Sequence, residues 1–159
     1  MIQWAHTGLG EVRMVFRPMT MNDYDRVYAL WLSTSGMGLN TADDAPEGIA
    51  RYLTRNPFTC FVAEENGEIL GVILAGHDGR RGYIHHTAVR ESARNRGIGT
   101  ELVERAMEAL KAEGIRKVAL VVFQRNRLGN GFWERRGFSP REDLVYRNRA
   151  IGELTRIDT

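Results

Sequence analysis

Cysteine, lysine, histidine and proline are all scarce in this sequence, and it has no long apolar run. A single cysteine, Cys60, among 159 residues excludes an internal disulfide framework and predicts a buried, inert thiol in a reducing compartment. No stretch approaches the roughly 18 uninterrupted apolar residues of a membrane-spanning helix, so no membrane partner is expected. The first thirteen residues lack the apolar centre of a secretory signal, and a cytoplasmic protein is expected. Four histidines without ligand-like spacing make no case for a metal. Lysine occurs only twice, at Lys111 and Lys117, against 20 arginines. The 22 basic and 20 acidic residues leave a net charge of only +2. Acidic residues separate the arginine clusters, so there is no basic stripe and no nucleic-acid partner is expected. Apolar residues at 43% and charged residues at 26% are those of a globular chain and argue against disorder or a fibrous repeat.

The sequence is rich in periodic segments. Residues 12–17 (VRMVFR) alternate and predict a first strand that Pro18 ends. Thr20 and Asp23 have capping-box spacing. They open a helix with an apolar stripe of Tyr24, Val27, Tyr28, Trp31 and Leu32. After a glycine-broken loop at 33–40, Asp44 is expected to cap a second helix with Pro46 in its first turn, running to about residue 56. A meander of three strands follows, 59–63, 69–75 and 83–89, with Asn66-Gly67 as a hairpin turn. Residues 98–113 form a helix with the stripe Ile98, Leu102, Ala106, Ala109 and Leu110, closed by Gly114. Residues 117–123 (KVALVVF) predict a strand buried on both faces. A short helix at 128–136 and a last hairpin, 138–141 against 144–147, complete the chain. This order places one mixed sheet between helices, an α/β or α+β fold in a single domain over 12–159, with residues 1–11 as an extension.

The most informative stretch is 83–102, YIHHTAVRESARNRGIGTEL. A strand ends, a loop bearing three arginines follows, and Arg94-Asn95-Arg96-Gly97-Ile98-Gly99 leads into an amphipathic helix. Glycines let the backbone turn tightly and approach a ligand. The first N–H groups of the helix are free and carry the positive end of its dipole. That combination suits a phosphate or diphosphate, the bland alternative being a glycine-bearing helix start with solvated arginines. Leu102 occupies the place of the third glycine of a dinucleotide fingerprint, and the Gly-Lys-Ser/Thr of a P-loop is absent.

Ala88-Val89 followed by Arg94-x-x-Gly97-x-Gly99 resembles the Q/R-x-x-G-x-G/A signature of the GNAT superfamily of acyl-CoA-dependent N-acyltransferases. A second block is similar to that family's N-x-x-A-x-x-F-Y-e-x-x-G-F segment: Asn126, then Gly129-Asn130-Gly131-Phe132-Trp133-Glu134-Arg135-Arg136-Gly137-Phe138. The likeness covers about residues 12–148. It implies a mostly antiparallel sheet of about seven strands with helices on both faces, splayed between the fourth and fifth strands. It also implies acetyl-CoA as cosubstrate, a primary amine as acceptor, and direct attack in a ternary complex. The backbone of Ala88 and Val89 would then pair with the pantetheine arm. The N–H groups of Asn95, Arg96, Gly97, Ile98, Gly99 and Thr100 would hold the pyrophosphate, with Arg94 or Arg96 adding charge-assisted bonds. Asn126 would hydrogen-bond the arm, and Phe132 would pack beside it. Edge strands in the last hairpin make a homodimer plausible. The rival is a non-catalytic acyl-CoA-binding or regulatory module of the same fold.

An amine of pKa near 10 costs about 4 kcal/mol to deprotonate at pH 7, so a general base is useful. Simple alternation puts Tyr83, His85, Thr87 and Val89 on one face of their strand and Ile84, His86 and Ala88 on the other. By the resemblance, bases occur at the positions of Tyr83 or His85, which makes His85 the candidate base; a mere pocket-lining histidine is the alternative. His86 is expected to face away in a structural role. Trp133 stands where many relatives carry a tyrosine that protonates the leaving thiolate, and an indole cannot do so. Tyr146, a water or no acid at all would replace it. Trp31, Met37, Asn40, Asp43 and Asp44, with Tyr83 and His85, are candidate lining of the acceptor site. Trp31 is alternatively core, and Asp44 alternatively a helix cap.

Overall fold

The structure is a computed structural model that describes residues 13–159. The expected extension at 1–11 therefore lies outside the described residues. Strand β1 (Val15–Pro18) leads to the capping box, in which Asp23 accepts the Thr20 N–H at 2.9 Å. Asp23 is buried but not isolated, because Arg17 forks onto it at 2.7 and 2.8 Å and Arg26 reaches it at 2.9 Å. Burial alone would raise its carboxyl pKa; the hydrogen bonds from Arg17 and Thr20 outweigh that and hold it low. The box opens a single 3₁₀ turn, and helix α1 (Tyr24–Ser33) follows. Its buried side is Val27, Leu30 and Trp31. Leu32, expected in the apolar stripe, is instead 47% exposed, since Leu30 holds the core-facing place.

Strand β2 (Gly38–Asn40) lies within the expected loop, and helix α2 (Pro46–Arg55) starts with proline in its first turn. Ala45, not Asp44, is the residue at its N-cap. Strands β3 (Phe61–Glu65), β4 (Glu68–His77) and β5 (Gly82–Val89) form the meander. Asn66 and Gly67 both take positive φ, 53° and 76°, as a two-residue hairpin turn requires. Helix α3 (Ile98–Ala112) crosses to β6 (Val118–Ala119), helix α4 (Arg127–Arg135) follows, and β7 (Arg156–Asp158) ends the chain.

The main sheet runs β1-β3-β4-β5-β6, antiparallel except for the β5–β6 pair, while β2 and β7 pair antiparallel as a separate ribbon. The expected last hairpin does not form: residues 138–147 make no strand, and the terminal ladder falls on β7 instead. On one face α1 and α2 cover Val62, Val72 and Leu74; on the other α3 covers Ile73, Ala75 and Ile84. α3 lies so close to β4 that a Cβ on Gly71 would meet Ile98 and Leu102, each at 2.9 Å. Cys60 is buried and donates to the Ala75 carbonyl at 3.2 Å; burial pushes its thiol up to about 12. It is an unreactive core thiol.

Candidate active site

β5 and β6 pair only through Gly82–Val118 and Tyr83–Ala119, and β5 continues to Val89 with no ladder on that side. The apolar run 117–123 is accordingly not a strand buried on both faces; Val121 is 59% exposed. A cleft of about 1780 Å³ opens along this seam, bounded by β5, α2, the start of α3 and α4. It has two chemically distinct halves.

The first half is built by α3. Asn95 and Gly97 take left-handed backbone, φ 62° and 80°, and turn the chain into the helix, whose first turn borders the cleft and whose first N–H groups have no partner within the helix. A Cβ on Gly99 would stand 3.2 Å from the Phe132 ring and 3.5 Å from Val89, so α3 seats tightly against α4 and β5. Arg94, Arg125, Arg127, Arg135 and Arg136 line this half, and among the described residues none of them pairs with a carboxylate. Arg136 stacks on Phe132 at 4.7 Å and donates to Thr100 Oγ1, while its Nε is buried with no partner. Five uncompensated guanidinium groups, an orphaned donor and a helix N-terminus fit a polyanionic ligand.

Of the residues expected here, Ala88, Val89, Arg94, Asn95, Gly97, Ile98, Gly99, Thr100, Asn126 and Phe132 all border the cleft. Arg96 does not: it turns away onto Glu65, at 2.8 and 3.1 Å. Asn126 spends its Oδ1 on the Gly129 N–H, capping α4, which leaves its Nδ2 as the remaining donor.

The second half lies under α2 and the loop before it. Asn40, Asp43, Asp44, Tyr52, Tyr83, His85, His86 and Tyr146 line it. Trp31 is fully buried and belongs to the core, so its expected lining role is withdrawn. Met37 and Asn40 do border the cleft. Tyr146 borders it from an irregular segment, not from the expected strand.

The two histidines depart from simple alternation. Ile73 pairs with Thr87 and Ala75 with Ile84, so Leu74 opposes both His85 and His86. This is a two-against-one β-bulge. Ile84 packs on the α3 side, whereas Tyr83, His85, His86 and Ala88 all face α1 and α2. His86 is thus a site residue that alternation assigned to the wrong face. His85 is walled by Tyr83 at 4.6 Å and Tyr52 at 5.4 Å between ring centroids. Burial, and then the neighbouring His86, lower its pKa below the usual histidine value, the carboxylates of Asp44 and Asp43 offsetting part of this. The shift favours the neutral ring, which can accept a proton. Asp44 caps nothing; its carboxylate instead meets His86 Nε2 at 2.6 Å.

The class of protein that carries this fold and cleft follows from its relatives. Residues 24–138 match the acetyltransferase (GNAT) family, and the chain belongs to that family. An acetyltransferase of Photorhabdus laumondii is 32% identical over 140 residues, covering 87% of this chain and 96% of its own. Among solved structures, Ard1 from Thermoplasma volcanium superposes with a TM-score of 0.70 at 20% identity, covering 79% of this chain and 82% of its own. The PaiA N-acetyltransferase from Thermoplasma acidophilum, solved with coenzyme A, reaches 0.66 at 14% identity, covering 78% and 88%. The activity that goes with this membership is N-acetyltransfer, with the acceptor left open.

Proposed function

We propose that the chain moves the acetyl group of acetyl-CoA to a primary amine by direct attack in a ternary complex. The observation that carries this reading is one cleft with an arginine-rich half at a helix N-terminus and a histidine-bearing half beside an unpaired strand edge. The cosubstrate supplies a thioester carbonyl and a thiolate leaving group. The chain supplies the rest. The N–H groups of Gly97, Ile98, Gly99 and Thr100, with Arg94 and Arg136, hold the diphosphate. The unpaired edge at Ala88 and Val89 takes the pantetheine arm in strand fashion, with Asn126 and Phe132 beside it. His85 accepts the proton of the amine, directly or through water, an effect worth roughly 10²–10⁴-fold in rate. Trp133 is buried between Phe132 and Phe138 and has no acidic proton to give, which leaves Tyr146 as the side chain to protonate the thiolate.

The test is thiol release from acetyl-CoA across a panel of amines. Turnover with at least one amine class, and none without an amine, is expected. Tight binding of acetyl-CoA with no acetylation of any class would instead favour a non-catalytic binding module.

A further inference from the structure

The histidine-bearing half contains a hydrogen-bonded pair for which the reading above has no use. Asp44 is buried, with 4% of its side chain exposed, and one carboxylate oxygen lies 2.6 Å from His86 Nε2. The other oxygen accepts the Asn40 N–H at 2.8 Å, and the Asp44 backbone carbonyl accepts the Tyr24 hydroxyl at 2.7 Å. The carboxylate is thus held from two sides. A carboxylate oxygen accepts, so Nε2 carries the hydrogen, and in the neutral ring Nδ1 then keeps its lone pair. The edge-on Trp31 ring, 5.0 Å away between centroids, limits rotation of the imidazole. Nδ1 makes no hydrogen bond among the described residues, and the ring borders the cleft. The His85 ring lies 6.5 Å from it, a spacing that one water can bridge.

Resting on the proposed function, we propose that Asp44 and His86 are a positioning pair for the amine's proton: His85 takes it, His86 Nδ1 receives it from His85 through one water, and Asp44 holds the ring in the receiving tautomer. The balance is simple. The amine nitrogen loses one proton, His85 gains and releases it, and His86 ends as an imidazolium against the Asp44 carboxylate; no electrons change hands. Burial disfavours a cation on His85, which gives an arriving proton a reason to move on.

Asp44→Asn is the direct test. One of its side-chain atoms must still accept the Asn40 N–H, so the amide turns its NH₂ toward His86 and forces the opposite tautomer. The expected result is a fall in kcat of about 10²-fold or more, with KM for acetyl-CoA unchanged and partial recovery in Asp44→Glu. Nitrogen NMR of histidine-labelled protein should show His86 with hydrogen on Nε2 in the wild type and on Nδ1 in Asp44→Asn. Because His86 acts through His85, adding His86→Gln to a His85→Gln variant should cost nothing further. Wild-type kcat in Asp44→Asn, additive losses in the double variant, or hydrogen on Nδ1 of wild-type His86 would each overturn the proposal. If Asp44→Asn does not fold, the wild-type tautomer and the His85–His86 cycle still decide it. A wild-type chain that acetylates no amine contradicts the underlying reading, whereas an active chain indifferent to Asp44→Asn contradicts only the pair.

Discussion

In the proposed mechanism His85 takes the amine's proton, and its environment makes a measurable statement about pH. Because burial lowers its pKa, the ascending limb of kcat/KM should fall below the usual histidine value of 6.5. The same shift sets a sign for stability. A depressed pKa means that the unfolded chain binds the proton more readily than the folded one, so stability is full above about 6.5 and declines as pH falls through the folded value. Thermal melts across that range should show the decline in the wild type and less of it in His85→Gln, which should also lose about 10²-fold or more in kcat. Tyr146→Phe should lower kcat by a similar factor while leaving acetyl-CoA binding unchanged; an unaffected kcat would remove Tyr146 from the mechanism. Trp133→Tyr should retain turnover, since the indole has no proton to give.

Among the elements, α3 sets the geometry and its glycines can be tested separately. Gly97 has φ 80° and open space around its missing Cβ, so Gly97→Ala strains the backbone by about 1–2 kcal/mol without a clash. Gly99→Val, by contrast, should push α3 off Phe132 and Val89. Both should raise KM for acetyl-CoA far more than they lower kcat, measured by thiol release. Asp23→Ala removes the acceptor of the Thr20 N–H and leaves Arg17 and Arg26 with Glu64 alone, and should cost about 1–2 kcal/mol by denaturant unfolding. In the wild type that contribution is present above the ordinary aspartate range and fades as acid protonates the carboxylate below it. The elements also mark how far the sequence could be followed. α3 was legible because its apolar stripe, its glycines and its capping signals lie within one continuous segment. The capping box at Thr20 and the Asn66-Gly67 turn were legible for the same local reason. β6 was overestimated because an apolar run does not reveal where its neighbour diverges from it, and only two of its residues pair. β7 was missed, and the hairpin at 138–147 wrongly expected, because β7 is three residues long and pairs with β2 across most of the chain. The bulge at Leu74 has no signature in the sequence, so His86 was placed on the wrong face, and its partner Asp44, 42 residues away, could not be foreseen.

At the scale of the whole molecule, the two helix layers grip opposite faces of one sheet, and the cleft lies where that sheet comes apart between β5 and β6. In the proposed reading the ligand is held by residues of β5, α3 and α4, while the proton is handled by residues of the bulge and the loop before α2. Filling the cleft should therefore tie both layers together. Acetyl-CoA at about 100 times its Kd should stabilise the fold by about 2.7 kcal/mol, raising the melting temperature of a chain this size by roughly 5–10 °C, while duplex DNA and NAD should not. The most direct measurement is a titration of nitrogen-labelled protein with coenzyme A, followed through the backbone amide resonances of Asn95, Gly97, Ile98, Gly99 and Thr100. These amides should shift together and saturate at one affinity, with Ala88 and Val89 moving in step as the unpaired strand edge gains a partner. Saturable binding that leaves the first turn of α3 undisturbed would contradict the account.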